Sequence, residues 1–377
     1  MKPLAILHVD QFHSWAGQSR RIFSLCLEQR ALGHRVTVAV PPDSPLFTRC
    51  AEAGIQVWGG CRFPPGVSPL HLLEVARLRR FLQAGRFDIV DAHADVWPLA
   101  LALRGTRSVL VRSRHNSRPT PPHLLNRWLH GRHVRHVNCN AAKAARQLVE
   151  SGLLPAAAVS AIPSAIDLAR FDPDLPGGPV RATLGLPPTG PCLMVVARLD
   201  GHKGHHLLLQ AAPEVLRRHP EAFITFVGEG PAARTLADLA LGLGIAHRVH
   251  FLGFREDVPR VLAAADLCLL PSEAEGTPTC LVEAQAMRVP VIATRVDGVP
   301  DVMHEGETGL LVDYGDVPAL TAAILRLLDD PALARRMGEA GRRLVEENFT
   351  LRRMAERTLA AYHTALAAAG VPDAQEP

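Results

Sequence analysis

The sequence predicts an α/β protein of two doubly wound parallel-sheet domains that face a central cleft. Its 377 residues exceed one ordinary core and suit two domains of roughly 150–200 residues. Short β-branched runs alternate with longer helical patterns in both halves, which favours βαβ units. Residues 163–191 are crowded with Pro and Gly and predict a linker between the halves. In such folds, ligands bind at the carboxyl ends of the strands.

The first half contains apolar runs of strand length separated by helical patterns. The run from Met1 to Val9 lacks the length and cleavage site of a signal peptide, so we interpret it as the first strand. Helical patterns include Gln18–Leu32, Leu70–Leu82 and Asn140–Ser151. The predicted strands are Leu4–Val9, Arg35–Val40, Ile55–Trp58, Ile89–Ala92, Ser108–Ser113 and His136–Asn140.

The same alternation restarts after the linker, where a short helix is predicted near Val180–Leu184. From Pro318 to about Ala369 the pattern is helical only, with breaks near Pro331 and Phe349. The predicted strands of this half are Cys192–Val196, Ala222–Val227, Val249–Leu252, Leu267–Leu270, Val291–Ala293 and Gly309–Val312.

The composition favours a cytoplasmic protein without disulfide bonds or structural zinc. Hydrophobic residues make up 47% of the chain and charged residues 21%, as in soluble globular proteins. No apolar run approaches the ~20 residues that span a bilayer. The cysteines are scattered, odd in number and form no C-x-x-C pair, which favours a reducing compartment. They are Cys26, Cys50, Cys61, Cys139, Cys192, Cys268 and Cys280.

Charge is distributed unevenly between the two halves. Residues 1–170 hold 22 Lys and Arg against 10 Asp and Glu, a balance of +12, and the remainder holds 19 against 27, a balance of −8. The first half therefore favours an anionic partner or surface. The pattern at Leu70–Gln83, with Arg77, Arg79 and Arg80, suits a basic helix on an anionic membrane and ordinary domain packing about equally.

A first cluster of charged residues lies in the turn from Val196 to Gly204. The turn follows a predicted buried strand and precedes an apolar helical run, so it points at the cleft. Arg198 and Lys203 stand five residues apart in it, and two fixed cations there would clamp a diphosphate. The alternative is a solvated turn. The rarity of lysine in this chain, with Lys203 one of three, favours a functional role.

A second cluster follows another predicted buried strand. Gly276 and Pro278 force a turn, so that a helix begins near Thr279. The first amides of that helix, from Thr279, Cys280 and Leu281, would form a phosphate site.

Two glutamates accompany this helix start. Glu283 lies about one turn into the helix, where its carboxylate would accept hydrogen bonds from two adjacent ribose hydroxyls. Glu275 lies in the preceding loop, free to face the cleft. The alternative is that both glutamates complement the helix dipole. That alternative suits Glu275 better than Glu283, whose sequence neighbours are apolar.

The pair Arg198 and Lys203, followed by Glu275-x7-Glu283, resembles the donor site of family 4 glycosyltransferases. That family has the GT-B fold of two Rossmann-like domains, and the resemblance covers nearly the whole chain. No single motif decides it, but the ordered set is specific. The other segments that carry it are Gly33–Val38, Phe226–Pro231, Val289–Thr294 and Gly306–Val312.

The resemblance implies a transfer that retains the anomeric configuration and uses a nucleotide-diphosphate sugar, with no metal or other cofactor. It implies that Arg198 and Lys203 hold the diphosphate and stabilise the leaving group, that Glu283 binds the ribose and that Glu275 contacts the sugar. Fixed cations and helix amides suit this chemistry because negative charge develops on phosphate in the transition state. The residues expected to bind the donor are Gly17, Arg198, Lys203, Glu275, Gly276, Thr279, Cys280 and Glu283.

In the first half, His115 ends a predicted strand and resembles the family's cleft histidine, which contacts donor sugar and acceptor. The resemblance therefore adds His115 to Arg198, Lys203 and Glu275 as catalytic candidates. His93 and Asp95 follow the preceding strand and are candidates for the acceptor side.

The sequence also departs from the family pattern. Ala16 and Gly17 stand where two adjacent glycines are usual, which restricts close approach of the backbone to a ligand. Ser164 and Ala165 replace a usual Asn-Gly pair near the linker, where hinge geometry is at stake.

These observations predict an acceptor-side domain at 1–168, a donor domain at 169–350 and a C-terminal helix at 351–377 that crosses back to the first domain. The expected role is bacterial envelope glycan synthesis of the lipopolysaccharide-core type, at the inner face of the cytoplasmic membrane. Expected partners are the nucleotide sugar, a glycan or glycolipid acceptor and an anionic membrane, and no nucleic acid.

Three alternatives remain open. In the first alternative the enzyme acts on a soluble sugar phosphate or inositol phosphate. In the second, the chain is a non-catalytic scaffold with the same fold. Gly228-x-Gly230 after a strand also matches a loose dinucleotide fingerprint. A nicotinamide dehydrogenase is disfavoured because Pro231 removes an amide from that turn and the expected acidic residue is not clearly placed.

Overall fold

The computed structural model describes residues 2–15, 17–60, 70–93, 96–115 and 120–371. Within these ranges the chain forms two compact units. The first unit runs to Ser164 and resumes at Leu351, and the second is Ala165–Thr350. The sequence prediction places the two boundaries after residues 168 and 350.

The first unit is a parallel sheet with helices between its strands. Among the described residues the sheet has seven strands in the order β3-β2-β1-β4-β5-β6-β7. The strands are β1 Ala5–Val9, β2 Arg35–Ala39, β3 Gln56–Trp58, β4 Ile89–Ala92, β5 Val109–Arg114, β6 Val134–Cys139 and β7 Val159–Ala161. The helices are α1 Gly17–Ala31, α2 Pro45–Glu52, α3 Leu70–Gly85, α4 Trp97–Ala102, α5 Leu124–Arg132 and α6 Ala142–Glu150.

The second unit repeats this design. Its sheet, again among the described residues, has six strands in the order β10-β9-β8-β11-β12-β13. The strands are β8 Cys192–Val196, β9 Phe223–Val227, β10 Val249–Phe251, β11 Leu267–Leu270, β12 Val291–Thr294 and β13 Gly309–Val312. The helices are α7 Gly177–Leu184, α8 His205–Arg218, α9 Ala233–Gly242, α10 Val258–Leu262, α11 Thr279–Ala286, α12 Val317–Asp329 and α13 Pro331–Asn348.

The last helix of the described residues, α14 at Leu351–Ala368, belongs to the first unit. It packs against α1, β5 and β6. Tyr362 and Leu359 of this helix are fully buried beside Ile6 of β1 and Ile89 of β4. Burial of these side chains removes apolar area from water and fixes the helix to the sheet.

The predicted α/β fold class is confirmed. Every strand pair of both sheets in the described chain is parallel. The strands β1 and β11 are buried along their whole length, which explains why β11 reads as a continuous apolar run and β1 as one interrupted only by His8. The edge strand β7 was not predicted, because it has three residues, two half-buried and one exposed, and gives no apolar pattern.

Both sheets reverse their winding order at one strand pair, β1 with β4 in the first unit and β8 with β11 in the second. At such a switch point the following loops diverge and leave a crevice at the carboxyl ends of the strands. The loops after these strands carry most of the predicted site residues.

Two further predictions concern cysteines and membranes. The cysteines in the described part of the chain are free, and Cys61 lies outside that part. Within the described residues, no helix has both the length and the hydropathy that crossing a membrane requires.

Candidate functional site

The loops that follow β8 and β11 are bound to each other at the switch point of the second unit. Gly204 has φ +67°, and a Cβ atom there would overlap the carbonyl oxygen of Pro271. The amide of Glu273 donates to the carbonyl of His202 at 2.8 Å. Only glycine tolerates both this conformation and this close approach, so Gly204 allows the two loops to pack against each other.

The central contact of this site is an ion pair between the two loops. Lys203 Nζ lies 2.7 Å from Glu275 Oε1, and their side chains are 27% and 8% exposed. A buried carboxylate is tolerated when a cation compensates it, so each residue holds the other in place. The sequence predicted both residues for the site but not their pairing.

Asp297 supports Glu275 from the loop after β12. Its Oδ2 accepts a hydrogen bond from the Glu275 amide at 3.2 Å. Asp297 has φ +39°, which is uncommon for a residue with a side chain and is typical of strained functional sites. Sequence reasoning missed Asp297, although the aspartate in the Asp297-Gly298 turn is a detectable signal.

Arg198, the other predicted cation, is placed differently. Its side chain is 71% exposed, and its Nε lies 3.9 Å from Asp200 Oδ2. The structure therefore fixes Lys203 firmly and leaves Arg198 extended into solvent, whereas the prediction had two fixed cations.

The Gly228-x-Gly230 turn packs against the backbone of the Arg198 loop. A Cβ at Gly228 would overlap the carbonyl oxygen of Ala197, and one at Gly230 would overlap that of Leu199. Close packing of the backbone therefore accounts for both glycines, and they are not evidence for a dinucleotide-binding motif.

The helix α11 begins at Thr279, as predicted, and presents an open N-terminus. Among the described residues no side chain caps it, and Pro278 precedes it. Thr279 is exposed and Cys280 is half-buried. The prediction for Leu281 is wrong, because its amide donates to the Pro278 carbonyl at 3.1 Å and is not free. The remaining amides and the helix dipole favour an anion.

Charged side chains around the start of α11 affect the pKa of the Cys280 thiol. Burial raises the pKa of its thiol well above the usual range, the charges of Glu275 and Glu283 add to that shift, and Lys203 opposes it. Glu283 also contributes to the raised pKa of Cys268, which burial brings to about 12. Glu275, Glu283 and Lys203 therefore act on one small region, and Cys280 stays a neutral thiol within it.

In the first unit, the predicted histidines lie together at the carboxyl ends of β4 and β5. His93 Nδ1 and His115 Nε2 are 2.9 Å apart. Burial lowers the pKa of His93 to about 4 and that of His115 well below its usual value, so both rings are neutral at neutral pH. Neutral imidazoles donate one hydrogen bond and accept another, which suits recognition of hydroxyl groups.

Asp10, directly after β1, is a buried polar residue at this edge of the sheet that sequence reasoning did not single out as a candidate. Gln18 Nε2 donates to Asp10 Oδ1 at 2.9 Å and to the His93 carbonyl at 3.2 Å. Burial raises the pKa of Asp10 to about 6. Its position directly after the first strand was the available signal.

The other predicted residues of this unit are less informative. Gly17 opens α1, is exposed and has no neighbouring atom within 4 Å of a Cβ built on it, in the described chain. Ala16 and Asp95 lie outside the described residues.

Two parallel-sheet, Rossmann-like units in one chain are the architecture of the GT-B class of protein. Two family models match the chain, Glycosyltransferase Family 4 over residues 15–170 and Glycosyl transferases group 1 over residues 179–344. The chain therefore belongs to the family 4 glycosyltransferases, as the sequence predicted, and its second half is a group 1 glycosyl transferase domain.

Curated relatives resemble parts of the chain. It is 36% identical over 217 residues to the GDP-mannose-dependent alpha-(1-6)-phosphatidylinositol monomannoside mannosyltransferase of Mycolicibacterium smegmatis, covering 55% of this chain and 56% of that protein. It is 31% identical over 289 residues to the D-inositol 3-phosphate glycosyltransferase of Nocardia farcinica, covering 70% and 64%. It is 33% identical over 170 residues to the lipopolysaccharide core biosynthesis glycosyltransferase LpsE of Rhizobium meliloti, covering 45% and 49%. The matches thus span about half the length of most of these relatives.

Solved structures share the fold over nearly the whole chain. A glycosyltransferase from Rickettsia africae superposes with a TM-score of 0.87 at 20% identity, covering 97% of this chain and 99% of that one. The Anabaena protein HepE, in complex with UDP and glucose, superposes with a TM-score of 0.77 at 22% identity, covering 96% and 99%.

Proposed function

We propose that this protein transfers a sugar from a nucleotide-diphosphate sugar to an acceptor hydroxyl, with retention of the anomeric configuration. The observation that carries the proposal is the Lys203–Glu275 ion pair at the β8–β11 switch point, beside the open N-terminus of α11. A fixed cation and free helix amides are the groups that stabilise a departing diphosphate.

The second unit binds the donor in this proposal. Lys203, Arg198 and the amides of Thr279 and Cys280 hold the diphosphate, with Gly276 in the adjoining turn. Exposed Arg198 closes on the diphosphate when the donor binds and supplies a bidentate contact. Their interaction strengthens as charge develops on the leaving phosphate, which lowers the barrier to transfer.

Two carboxylates select the rest of the donor. Glu283 accepts hydrogen bonds from the ribose hydroxyls, and Glu275 contacts the transferred sugar. Glu275 is suited to this role because Lys203 and Asp297 already hold it, so little conformational entropy is lost when the sugar binds.

The first unit binds the acceptor and the sugar hydroxyls. His115 is the proposed contact residue and His93 the proposed acceptor-side residue, while Gly17 opens α1. Asp95, which lies outside the described residues, stays an acceptor-side candidate from the sequence. Because His115 is neutral, it orients a hydroxyl group and does not act as a permanent cation. No metal ion takes part in the proposed reaction.

The acceptor is proposed to be an anionic envelope glycolipid of the lipopolysaccharide-core type, reached from the cytoplasmic face of the membrane. The +12 balance of residues 1–170 and the likeness to LpsE support this choice. A soluble inositol phosphate is the second candidate, supported by the D-inositol 3-phosphate glycosyltransferase that matches 70% of the chain.

A transfer assay tests both the activity and the acceptor. The protein is incubated with GDP-mannose or UDP-glucose and with either bacterial glycolipid in vesicles or inositol 3-phosphate, and release of nucleoside diphosphate is measured. Transfer to glycolipid alone supports the first acceptor, and transfer to inositol phosphate alone supports the second. An α-linked product from an α-linked donor, assigned by NMR, supports retention. A folded protein that releases no diphosphate from any nucleotide sugar contradicts the proposal and favours a scaffold.

A further inference from the structure

A chain of hydrogen-bonded side chains leads from the interior of the first unit to His115. Gln29 Oε1 lies 2.8 Å from His8 Nε2, and His8 Nδ1 lies 2.9 Å from His93 Nε2. His93 Nδ1 lies 2.9 Å from His115 Nε2. Gln29 and His8 are fully buried, and His93 is 6% exposed. Both ring nitrogens of His8 and of His93 are therefore engaged within this chain.

All three histidines are neutral. Burial is the main cause that lowers the pKa of each ring, and it outweighs the opposing charge of Asp91 at His8 and His93. A neutral imidazole carries one N–H donor and one acceptor nitrogen, so the bonds of one ring restrict the next.

The amide oxygen of Gln29 can only accept a hydrogen bond, so it determines which atom donates in each hydrogen bond that follows. His8 therefore carries its proton on Nε2 and accepts on Nδ1. His93 then donates from Nε2 and accepts on Nδ1. His115 donates from Nε2, which leaves Nδ1 as its acceptor nitrogen.

We propose that Gln29, His8 and His93 are positioning residues that hold His115 in the Nε2–H tautomer, so that Nδ1 accepts a hydrogen bond from a substrate hydroxyl. The inference deepens the proposed function and rests on it for the identity of that hydroxyl. The ring planes of His8 and His93 are inclined by 26° and those of His93 and His115 by 28°. The three rings are thus nearly parallel, and their hydrogen bonds hold the His115 ring in this orientation. A fixed acceptor avoids the reorientation cost that a freely turning imidazole has.

Asp91 supports the middle of the chain. Its Oδ2 lies 3.8 Å from His8 Nδ1 and 3.7 Å from His93 Nε2, where it favours a proton between the two rings. The same oxygen accepts hydrogen bonds from Tyr362 at 2.6 Å and Ser113 at 2.9 Å. Helix α14 therefore contributes directly to the support of His115 through Tyr362.

Arg21 is a half-buried cation that interacts with this cluster. It donates to the Ile162 carbonyl at 2.7 Å and to Ser164 Oγ at 3.1 Å, and its charge interacts with Asp91. Its positive charge lowers the pKa of His93 and His115 further. Arg21 thus disfavours protonated rings and preserves the donor–acceptor order.

A metal ion is the competing occupant of this cluster. His8, Asp91 and His93 offer ligand atoms within 4.8 Å of one another. A metal held there takes His8 Nδ1 and His93 Nε2, which are the two atoms that form the central link of the chain. Bound metal and the hydrogen-bonded chain therefore exclude each other.

The test is the tautomer of His115, read from ¹⁵N chemical shifts of the full protein labelled at histidine and assigned by loss of the signal in His115→Gln. The Nε2–H form is expected in the wild type. His8→Leu removes the acceptor for His93 and is expected to give a mixed His115 tautomer, with kcat lower by up to about a hundredfold and an unchanged KM for the donor. His8→Asn keeps an acceptor oxygen near the Nδ1 position and is expected to restore the Nε2–H form, with kcat within about threefold of wild type.

Three results overturn the inference: an Nδ1–H form in the wild type, a His115 signal unaffected by His8→Leu, or one equivalent of metal in the purified protein. The spectrum needs no substrate, so it separates the two proposals. An inactive protein with the Nε2–H form contradicts the proposed function alone. An active protein with the Nδ1–H form contradicts only the positioning role.

Discussion

The two units share one architecture but place opposite kinds of chemistry at their switch points. The second unit carries charges on loops, with Lys203 and Glu275 paired and Arg198 exposed. The first unit carries neutral rings, with His93 buried and His115 half-buried beside it. Charge suits a leaving diphosphate, and neutral donors and acceptors suit hydroxyl groups.

The contrast teaches that the fold fixes where a site lies and the loops fix what it does. In the second unit, glycines let two loops approach closely enough to pair their charges. In the first unit, strand and helix side chains form the support, so the site depends on the core. Substitutions of the charged side chains in the second unit are therefore expected to act on catalysis, and substitutions in the first unit on stability and orientation.

The largest expected effect is on catalysis, from Lys203→Ala. Loss of a preorganised charge that stabilises the leaving group is expected to lower kcat/KM by about 10²–10³-fold. The matched control is His202→Ala in the same turn, whose ring pairs with Glu273 at 2.9 Å and is largely exposed. The control is expected to stay within about threefold of wild type. Equal losses in both variants, measured by steady-state kinetics, contradict the role of Lys203.

Gly204→Ala tests the joining of the two loops. Its positive φ and the overlap with Pro271 are expected to lower the free energy of unfolding by at least about 3 kcal/mol. Gly201→Ala lies in the same turn, where no atom of the described residues comes within 4 Å of a built Cβ. It is expected to change the free energy of unfolding by less than about 0.5 kcal/mol. Urea denaturation measures both, and indistinguishable midpoints count against the close approach.

Asp10→Asn tests the buried carboxyl of the first unit. Burial raises its folded-state pKa from 3.8 to about 6, so the folded protein holds the proton more tightly than the unfolded chain. Stability therefore falls as the pH rises from about 4 to about 6, by about 3 kcal/mol in total. Asn has no charge to bury, so the variant is expected to lose this slope and to gain up to that amount at pH 7.

The control for Asp10→Asn is Asp43→Asn, because the Asp43 side chain is 71% exposed. Its exposed ion pair with His13 contributes little, so the substitution is expected to change the unfolding free energy by less than about 0.5 kcal/mol. A wild-type profile that is flat between pH 4 and 6 would contradict the burial of an ionisable Asp10.

Tyr362→Phe tests the contribution of α14. The substitution removes a hydrogen bond to the buried Asp91 carboxylate and is expected to cost about 1.5–3 kcal/mol of unfolding free energy. Tyr314→Phe, at the chain's other and 40% exposed tyrosine, is expected to cost less than about 0.5 kcal/mol. Equal melting temperatures for the two variants in calorimetry argue against support of Asp91 by α14.

The fold was largely predictable, and the site in part. Apolar runs that alternate with helical patterns indicate parallel strands, because both faces of such sheets are covered. The charged loops could be located because they come directly after predicted strands. Lys203 and Glu275 were found as separate candidates, but their ion pair joins residues 72 positions apart and needs the strand order to be known.

The histidine chain could not be predicted. His8 and Asp91 read as ordinary strand residues among 18 histidines and 37 acidic residues. The hydrogen bond between Asp91 and Tyr362 joins residues 271 positions apart. Such contacts depend on how α14 packs against the sheet, and neither composition nor periodicity records that.

Nucleotide binding tests the central claim most directly. Thermal unfolding is measured with a panel of nucleoside diphosphates and their sugars, for the wild type, Lys203→Ala and Glu283→Ala. A ligand at 100 times its dissociation constant stabilises the folded state by roughly 2.7 kcal/mol. We predict stabilisation of the wild type by the nucleotides of one base, lost in both variants. A folded wild type that no nucleotide stabilises, or variants that bind as tightly as the wild type, would contradict the donor site in the second unit.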